Sequence, residues 1–172
     1  MNSRRPPNFL FFLPDQWRAD WLGVNSDLPL RTPNIDALAD IGVRFAKAIC
    51  PSPLCAPSRA SMASGIEYDR CGVMNNFQNY PQDQPTNYQA LREVGYVVAG
   101  VGKFDLHKDL RDPANLDWGL DGSRLLAEWG FTAGIDNEGK LDGSTSYRLS
   151  DQPKGPYMAF LHERGLADRY IQ

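Results

Sequence analysis

The residues whose types and spacing most constrain chemistry lie in Pro51-Ser52-Pro53-Leu54-Cys55-Ala56-Pro57-Ser58-Arg59-Ala60. Proline is tolerated in a first helical turn, so Pro57 allows a helix that begins just after Cys55 and ends near Gly65. A cysteine at a helix N-terminus has its thiolate favoured by the helix dipole and by free backbone N–H groups. Arg59 follows one turn later on the same face, so its guanidinium can reach whatever Cys55 contacts. An anion beside Cys55 would meet a helix end and a fork of donors together. The plain alternative makes Cys55 a small buried hydrophobe and Arg59 a surface cation. A further reading takes unmodified Cys55 as a nucleophile with His107 as its base, which requires the two to meet across strand ends.

The elements that must position these groups follow from apolar periodicity. Asn8 to Leu13 is a continuous apolar run, the pattern of a buried parallel strand, and it ends in Pro14-Asp15-Gln16. An Asp-Gln pair after a strand is in itself common loop chemistry. Thr32-Pro33 opens a helix with Ile35, Leu38 and Ala39 on one inward face and Gly42 as its stop, and Val43 to Ala48 reads as a short strand. A third helix runs from about Thr86 to Val94, with Leu91 and Val94 inward and Gly95 at its end. Tyr96 to Val101 reads as another buried strand, closed by Gly102. Strands alternating with helices predict an α/β fold, a mostly parallel sheet flanked by helices, with functional groups at the carboxyl ends of the strands. Residues 110–155 carry Asp, Gly, Asn and Ser punctuation with Trp118, Trp129 and Phe131 as anchors, and read as an irregular insertion over a site. A terminal helix over 156–172 turns Met158 and Leu161, with Leu166 and Tyr170, to one side. Three strands give little with which to cover both faces of a parallel sheet, so the chain reads as an incomplete domain.

Composition excludes several classes. The chain has 172 residues, 42% hydrophobic and 23% charged, which is ordinary for a globular domain. Its net charge of -3 provides no basic field for nucleic acid, and no run approaches the ~20 apolar residues of a membrane span. Two arginines near the start precede only a five-residue apolar run with no small-x-small site, so a cytoplasmic protein is expected. Cys50, Cys55 and Cys71 fit neither a disulfide framework nor a paired zinc site. Cys50, Cys71 and His162 have no supporting partner and read as packing or surface.

The segment Cys55-Ala56-Pro57-Ser58-Arg59 resembles the C-x-P-S-R signature of type I, formylglycine-dependent sulfatases of the alkaline-phosphatase-like superfamily. The surroundings agree in order. Asn8 to Gln16 resembles the family's first strand and its acidic metal-binding end, Thr32 to Ala39 with Gly42-Val43-Arg44-Phe45 its TPN helix and following strand, and Gly95 to Lys103 a later strand and its lysine. The resemblance covers about 8–108 and implies that residues 1–172 are the N-terminal portion of a sulfatase domain.

What the resemblance implies is hydrolysis of a small sulfate ester. Cys55 would be converted by a formylglycine-generating enzyme, and one hydroxyl of the hydrated aldehyde, activated by calcium or another divalent metal, would attack sulfur and displace the ester's alcohol. The second hydroxyl would then expel sulfate, a role a thiol cannot fill. Asp15 and Gln16, with position 55, match metal ligands whose oxygens suit a hard ion. Lys103 matches the lysine that grips sulfate, and Arg59 belongs to the same machinery. Asn76 matches an asparagine placed near the substrate anion in choline-sulfatase and phosphonate-hydrolase relatives, although Asn75-Asn76 also suits a turn. Arg18 and Asp20 resemble the Asp-Gln-x-Arg-x-Asp form of that branch and read as supporting residues. One departure stands out: the family pattern Gly-Lys-x-His appears here as Gly102-Lys103-Phe104-Asp105-Leu106-His107, with an aspartate in the histidine's place. Either His107 substitutes from a shifted loop or that function is lost, and Asp105 must turn away from sulfate or bind a cation. Two alternatives accompany the sulfatase reading: a phosphonate monoester or phosphodiester hydrolase using the same machinery, which Gln16 leaves open, and a non-catalytic fragment.

Overall fold

The computed structural model describes residues 5–25, 27–108 and 116–172. Most of the arginine-bearing start and the first part of the expected insertion, 110–115, lie outside the described residues. The chain divides into two compact units, Met1–Ala48 and Ile49–Gln172.

In the first unit, helix α1 spans Pro33–Ile41, entered through Thr32 and stopped at Gly42, whose N–H bonds the Leu38 carbonyl. Proline at the first position removes an N–H that has no intrahelical partner anyway. The Thr32 hydroxyl accepts from Gly23 N at 2.8 Å and donates to Asp36 Oδ1 at 2.9 Å, tying the helix start to the turn before it. The expected burial does not follow. No residue of α1 is buried, and Leu38 is 64% exposed. The expected strands at Asn8 to Leu13 and Val43 to Ala48 are extended or turn segments without a ladder, and Leu10 is 82% exposed. A parallel strand holds its conformation only with a hydrogen-bonded neighbour. Among the described residues the single ladder pairs two other segments.

In the second unit, helix α2 (Cys55–Ser64) ends at Gly65, whose φ of +73° a side chain would resist. Ala56, Ala60 and Ala63 form a stripe of small residues that packs with Val73, Tyr80 and Trp129 in the main core. Helix α3 (Asn87–Glu93) begins with a capping box: Gln89 N donates to Thr86 Oγ1 at 3.1 Å while Thr86 N donates to Gln89 Oε1 at 3.0 Å. Val94, expected inward, is 74% exposed.

Strands β1 (Ala99–Gly102) and β2 (Ala133–Asp136) pair in parallel, Ala99 opposite Ala133 and Gly102 opposite Asp136. β1 is thus shorter than the strand expected from Tyr96. A Cβ on Gly134 would sit 2.0 Å from the Gly100 carbonyl, so glycine is what lets the ladder close here. Phe131 leads into β2 and stacks against Phe104 at 4.7 Å between ring centroids.

The region expected to be irregular contains both β2 and an eleven-residue helix, α4 (Lys140–Ser150). Trp118, Trp129 and Phe131 are buried as expected of anchors. The expected terminal helix is two helices, α5 (Pro156–Glu163) and α6 (Ala167–Ile171), separated at Gly165, where φ is +64°. Met158 and Leu161 are buried, whereas Leu166 is 40% exposed. Among the described residues no helix is long and apolar enough to cross a membrane.

Candidate active site

Cys55 is the first residue of α2, half-buried and with a free thiol. The first N–H groups of a helix lack intrahelical acceptors. Leu54 at the cap has no side chain to supply one, and Asn76 does so from a distant loop: Ala56 N donates to Asn76 Oδ1 at 2.9 Å. Asn76, expected near the substrate anion, therefore stands at the helix end that carries Cys55, with its carbonyl oxygen turned to the backbone.

Arg59 is buried within α2 and not a surface cation, and Cys55 is not fully buried, so the plain alternative fails for both. The Arg59 guanidinium donates through Nη1 to the Lys103 carbonyl. The N–H of that same peptide unit, Phe104 N, donates to Asp136 Oδ1 at 3.1 Å. One peptide plane is thus gripped at both ends, from α2 and from the carboxyl end of β2. Asn137 N donates to the Gly102 carbonyl at 2.7 Å, which holds the same two strand ends together.

The Asp136 carboxyl is pushed up to about 7, chiefly because burial penalises its charge, with Asp105 and Glu138 adding repulsion. The Phe104 N–H and the Arg59 guanidinium oppose that rise. Sequence reading did not single out Asp136. Its signal is its place at the end of a strand beside the Lys103 loop, and that strand lies where irregular chain was expected.

Asp105 occupies a left-handed conformation, φ +54°, which turns its carboxylate inward. It is 4% exposed, with Oδ2 3.2 Å from Lys103 Nζ in an ion pair not aligned as a hydrogen bond, and Oδ1 3.3 Å from Lys108 Nζ. Of the two options open to an aspartate here, it binds cations. Lys108 in turn meets Asp142 Oδ2 of α4 at 2.5 Å. His107 is half-buried, its ring edge-on to Trp118 at 6.4 Å between centroids. Glu138 is held up by burial and accepts from Met158 N at 2.7 Å and Tyr157 N at 3.3 Å, capping α5.

Asp15 and Gln16 lie in an exposed turn of the first unit, Gln16 at φ +52°. Arg18 and Asp20 pair with each other, Nε to Oδ1 at 2.9 Å. The oxygens of Asp15 and Gln16 suit calcium in kind, but calcium takes about 6–8 of them, and among the described residues no three His, Cys, Asp or Glu side chains converge on a point. The described residues do not make a complete metal site. Cys71 is buried in the core and Cys50 is exposed, whereas two of the three residues expected to stand without a partner have one: His162 Nδ1 shares a 2.7 Å hydrogen bond with the Tyr147 hydroxyl, and Cys50 Sγ lies 3.0 Å from Ser58 Oγ.

A half-buried cysteine thus opens α2, with an arginine one turn on that holds the backbone of the Lys103 loop. The chain belongs to the sulfatase family, whose profile it matches over residues 7–164. It is 33% identical over 131 residues to the "uncharacterized sulfatase YidJ" of Escherichia coli K12, covering 71% of this chain and 26% of that protein. To the "ulvan-active sulfatase" of Formosa agariphila it is 35% identical over 100 residues, 58% of this chain and 20% of the relative. To mouse steryl-sulfatase it is 33% identical over 113 residues, 59% and 18%. The chain therefore spans about a fifth to a quarter of the length of these relatives.

Proposed function

We propose that this chain is the N-terminal, nucleophile-bearing portion of a hydrolase that cleaves a small sulfate ester, built on an alkaline-phosphatase-like sheet, with formylglycine formed from Cys55. The observation that carries the reading is that Cys55 opens α2, whose first turn Asn76 caps and whose Arg59 holds the Lys103 peptide. Formylglycine at position 55 supplies a hydroxyl nucleophile in place of a thiol.

The chain's own residues prepare the place of attack. Asn76 fixes the first turn, so the side chain at 55 leaves the helix at its N-terminus, where the dipole favours negative charge. Arg59 and Asp136 fix the backbone of Lys103, whose ammonium complements the spread charge of a sulfate group. Under this reading Asp15 and Gln16 supply two oxygen donors of a divalent-metal shell that other residues complete. A formylglycine-generating enzyme and a sulfate ester are the implied partners.

The test is to express the full-length protein with a formylglycine-generating enzyme, to look for the Cys55 aldehyde by peptide mass, and to compare an aryl sulfate with an aryl phosphodiester. Turnover of the sulfate that is lost in Cys55→Ala supports the reading. Preference for the phosphodiester moves the protein to the phosphonate and phosphodiester branch, and turnover by the unmodified thiol refutes the formylglycine assignment.

A further inference from the structure

The loop after β1 carries three charged side chains in six residues, Lys103, Asp105 and Lys108, and a fourth, Asp142, meets them from α4. Isolated charges are costly to bury, and unmatched ones are expelled or neutralised. These are matched in strict alternation: Lys103 to Asp105, Asp105 to Lys108, Lys108 to Asp142. The inner three are nearly inaccessible, and the Lys103 side chain, at 20% exposure, is the most accessible of the four. We infer that Asp105, anchored through Lys108 to Asp142, is a positioning residue that holds the Lys103 ammonium at the mouth of the site, in place of the histidine that stands at this position in the family pattern.

Three features make this more than a local ion pair. First, the left-handed backbone at Asp105 aims the carboxylate back along the loop toward both lysines. Second, the loop cannot drift: Lys108 N donates to Asn79 Oδ1 at 2.7 Å and Tyr80 N to the Leu106 carbonyl at 2.8 Å. Third, α4 stands against the loop at Gly139, the residue that caps it. A Cβ there would lie 2.7 Å from Asp142 Oδ2 and 3.7 Å from Lys103 Cε. The helix that brings Asp142 thus also walls one side of Lys103.

The two lysines share one carboxylate, so the arrangement has a signed consequence. Removing the Asp105 charge takes from Lys103 its carboxylate in this row, whereas removing Lys108 takes away the second lysine that shares that carboxylate. Asparagine is at home in left-handed backbone, so Asp105→Asn removes charge while keeping shape.

The inference rests on the sulfatase reading only for the role of Lys103 toward substrate, and the experiment separates the two. In the full-length protein, pulse acetylation at fixed pH with mass readout gives the reactivity of the Lys103 amine without any turnover. Asp105→Asn is expected to raise it roughly three- to tenfold, and Lys108→Met to lower it, each normalised to exposed Lys140. With an aryl sulfate, Asp105→Asn is expected to raise KM by about tenfold with a smaller change in kcat. Unchanged Lys103 reactivity in folded Asp105→Asn, or a rise in Lys108→Met, overturns the inference. If one variant does not fold, the sign of the other decides. Opposite shifts in reactivity from a protein that hydrolyses no sulfate ester uphold the role of Asp105 and refute the sulfatase reading instead.

Discussion

Replacing Asp136 by asparagine should stabilise the protein, and increasingly so as pH rises. The carboxyl is raised from an ordinary 3.8 to about 7 by burial beside Asp105 and Glu138. Between those values the folded state binds a proton that the unfolded state has released, so stability falls as pH rises from about 4 to 7 and then levels off. With 1.36 kcal/mol per unit, the cost of the native carboxyl is about 2 kcal/mol at pH 5 and on the order of 4 kcal/mol at pH 8. Asparagine keeps an oxygen for the Phe104 N–H, 3.1 Å away, and carries no charge to desolvate. The measurement is urea denaturation of both proteins at pH 5 and pH 8. Taking a slope of about 2 kcal/mol per molar, the midpoint advantage of Asp136→Asn should widen by roughly 1 M across that range. Glu138 is raised too, chiefly by a burial common to both proteins, so it enters the difference only through its repulsion with Asp136. Midpoints that move in parallel would show that Asp136 is not buried as an uncompensated carboxylate, and would remove the physical basis for its place beside Arg59.

Three other perturbations test the geometry of the site. Asn76→Ala should cost about 1 kcal/mol by removing the acceptor for Ala56 N, whereas Asn76→Asp should not; amide exchange at Ala56 is the direct readout. Arg59→Lys keeps the charge but loses the planar fork, and should destabilise by about 1.5–3 kcal/mol in thermal unfolding, the range for a charged hydrogen bond left unmade. Gly139→Ala places a methyl 2.7 Å from the Asp142 carboxylate, so a loss of about 1–3 kcal/mol is expected, and an unchanged melting temperature would mean that α4 gives way freely.

Helix ends were legible because their signals are local. Thr32-Pro33, Gly42, Thr86 and Gly65 act through their own backbone preferences within a turn: α1 begins after Thr32 and stops at Gly42, α2 stops at Gly65 and α3 begins after Thr86. The Cys55 to Arg59 spacing was legible for the same reason, because one helical turn fixes which side chains share a face. Strands were not. Asn8 to Leu13 has the composition of a buried strand, but a ladder is a property of two segments, and the described residues pair only β1 with β2. Nor did the punctuated region disclose β2 and α4, whose buried groups, Asp136 and Asp142, are polar and carry no apolar periodicity.

The sequence by itself determined the family: position 55, Arg59 and the order of motifs around them need no folded neighbour to be recognised. Tertiary structure decided what the remaining groups touch. That Arg59 serves the Lys103 backbone, that Asn76 caps the nucleophile's helix, and that Asp105 binds two lysines are contacts between residues distant in the chain or set by one left-handed backbone angle. Such contacts depend on distance and burial, which fix the strength of each charge pair and leave no periodic trace in the order of residues.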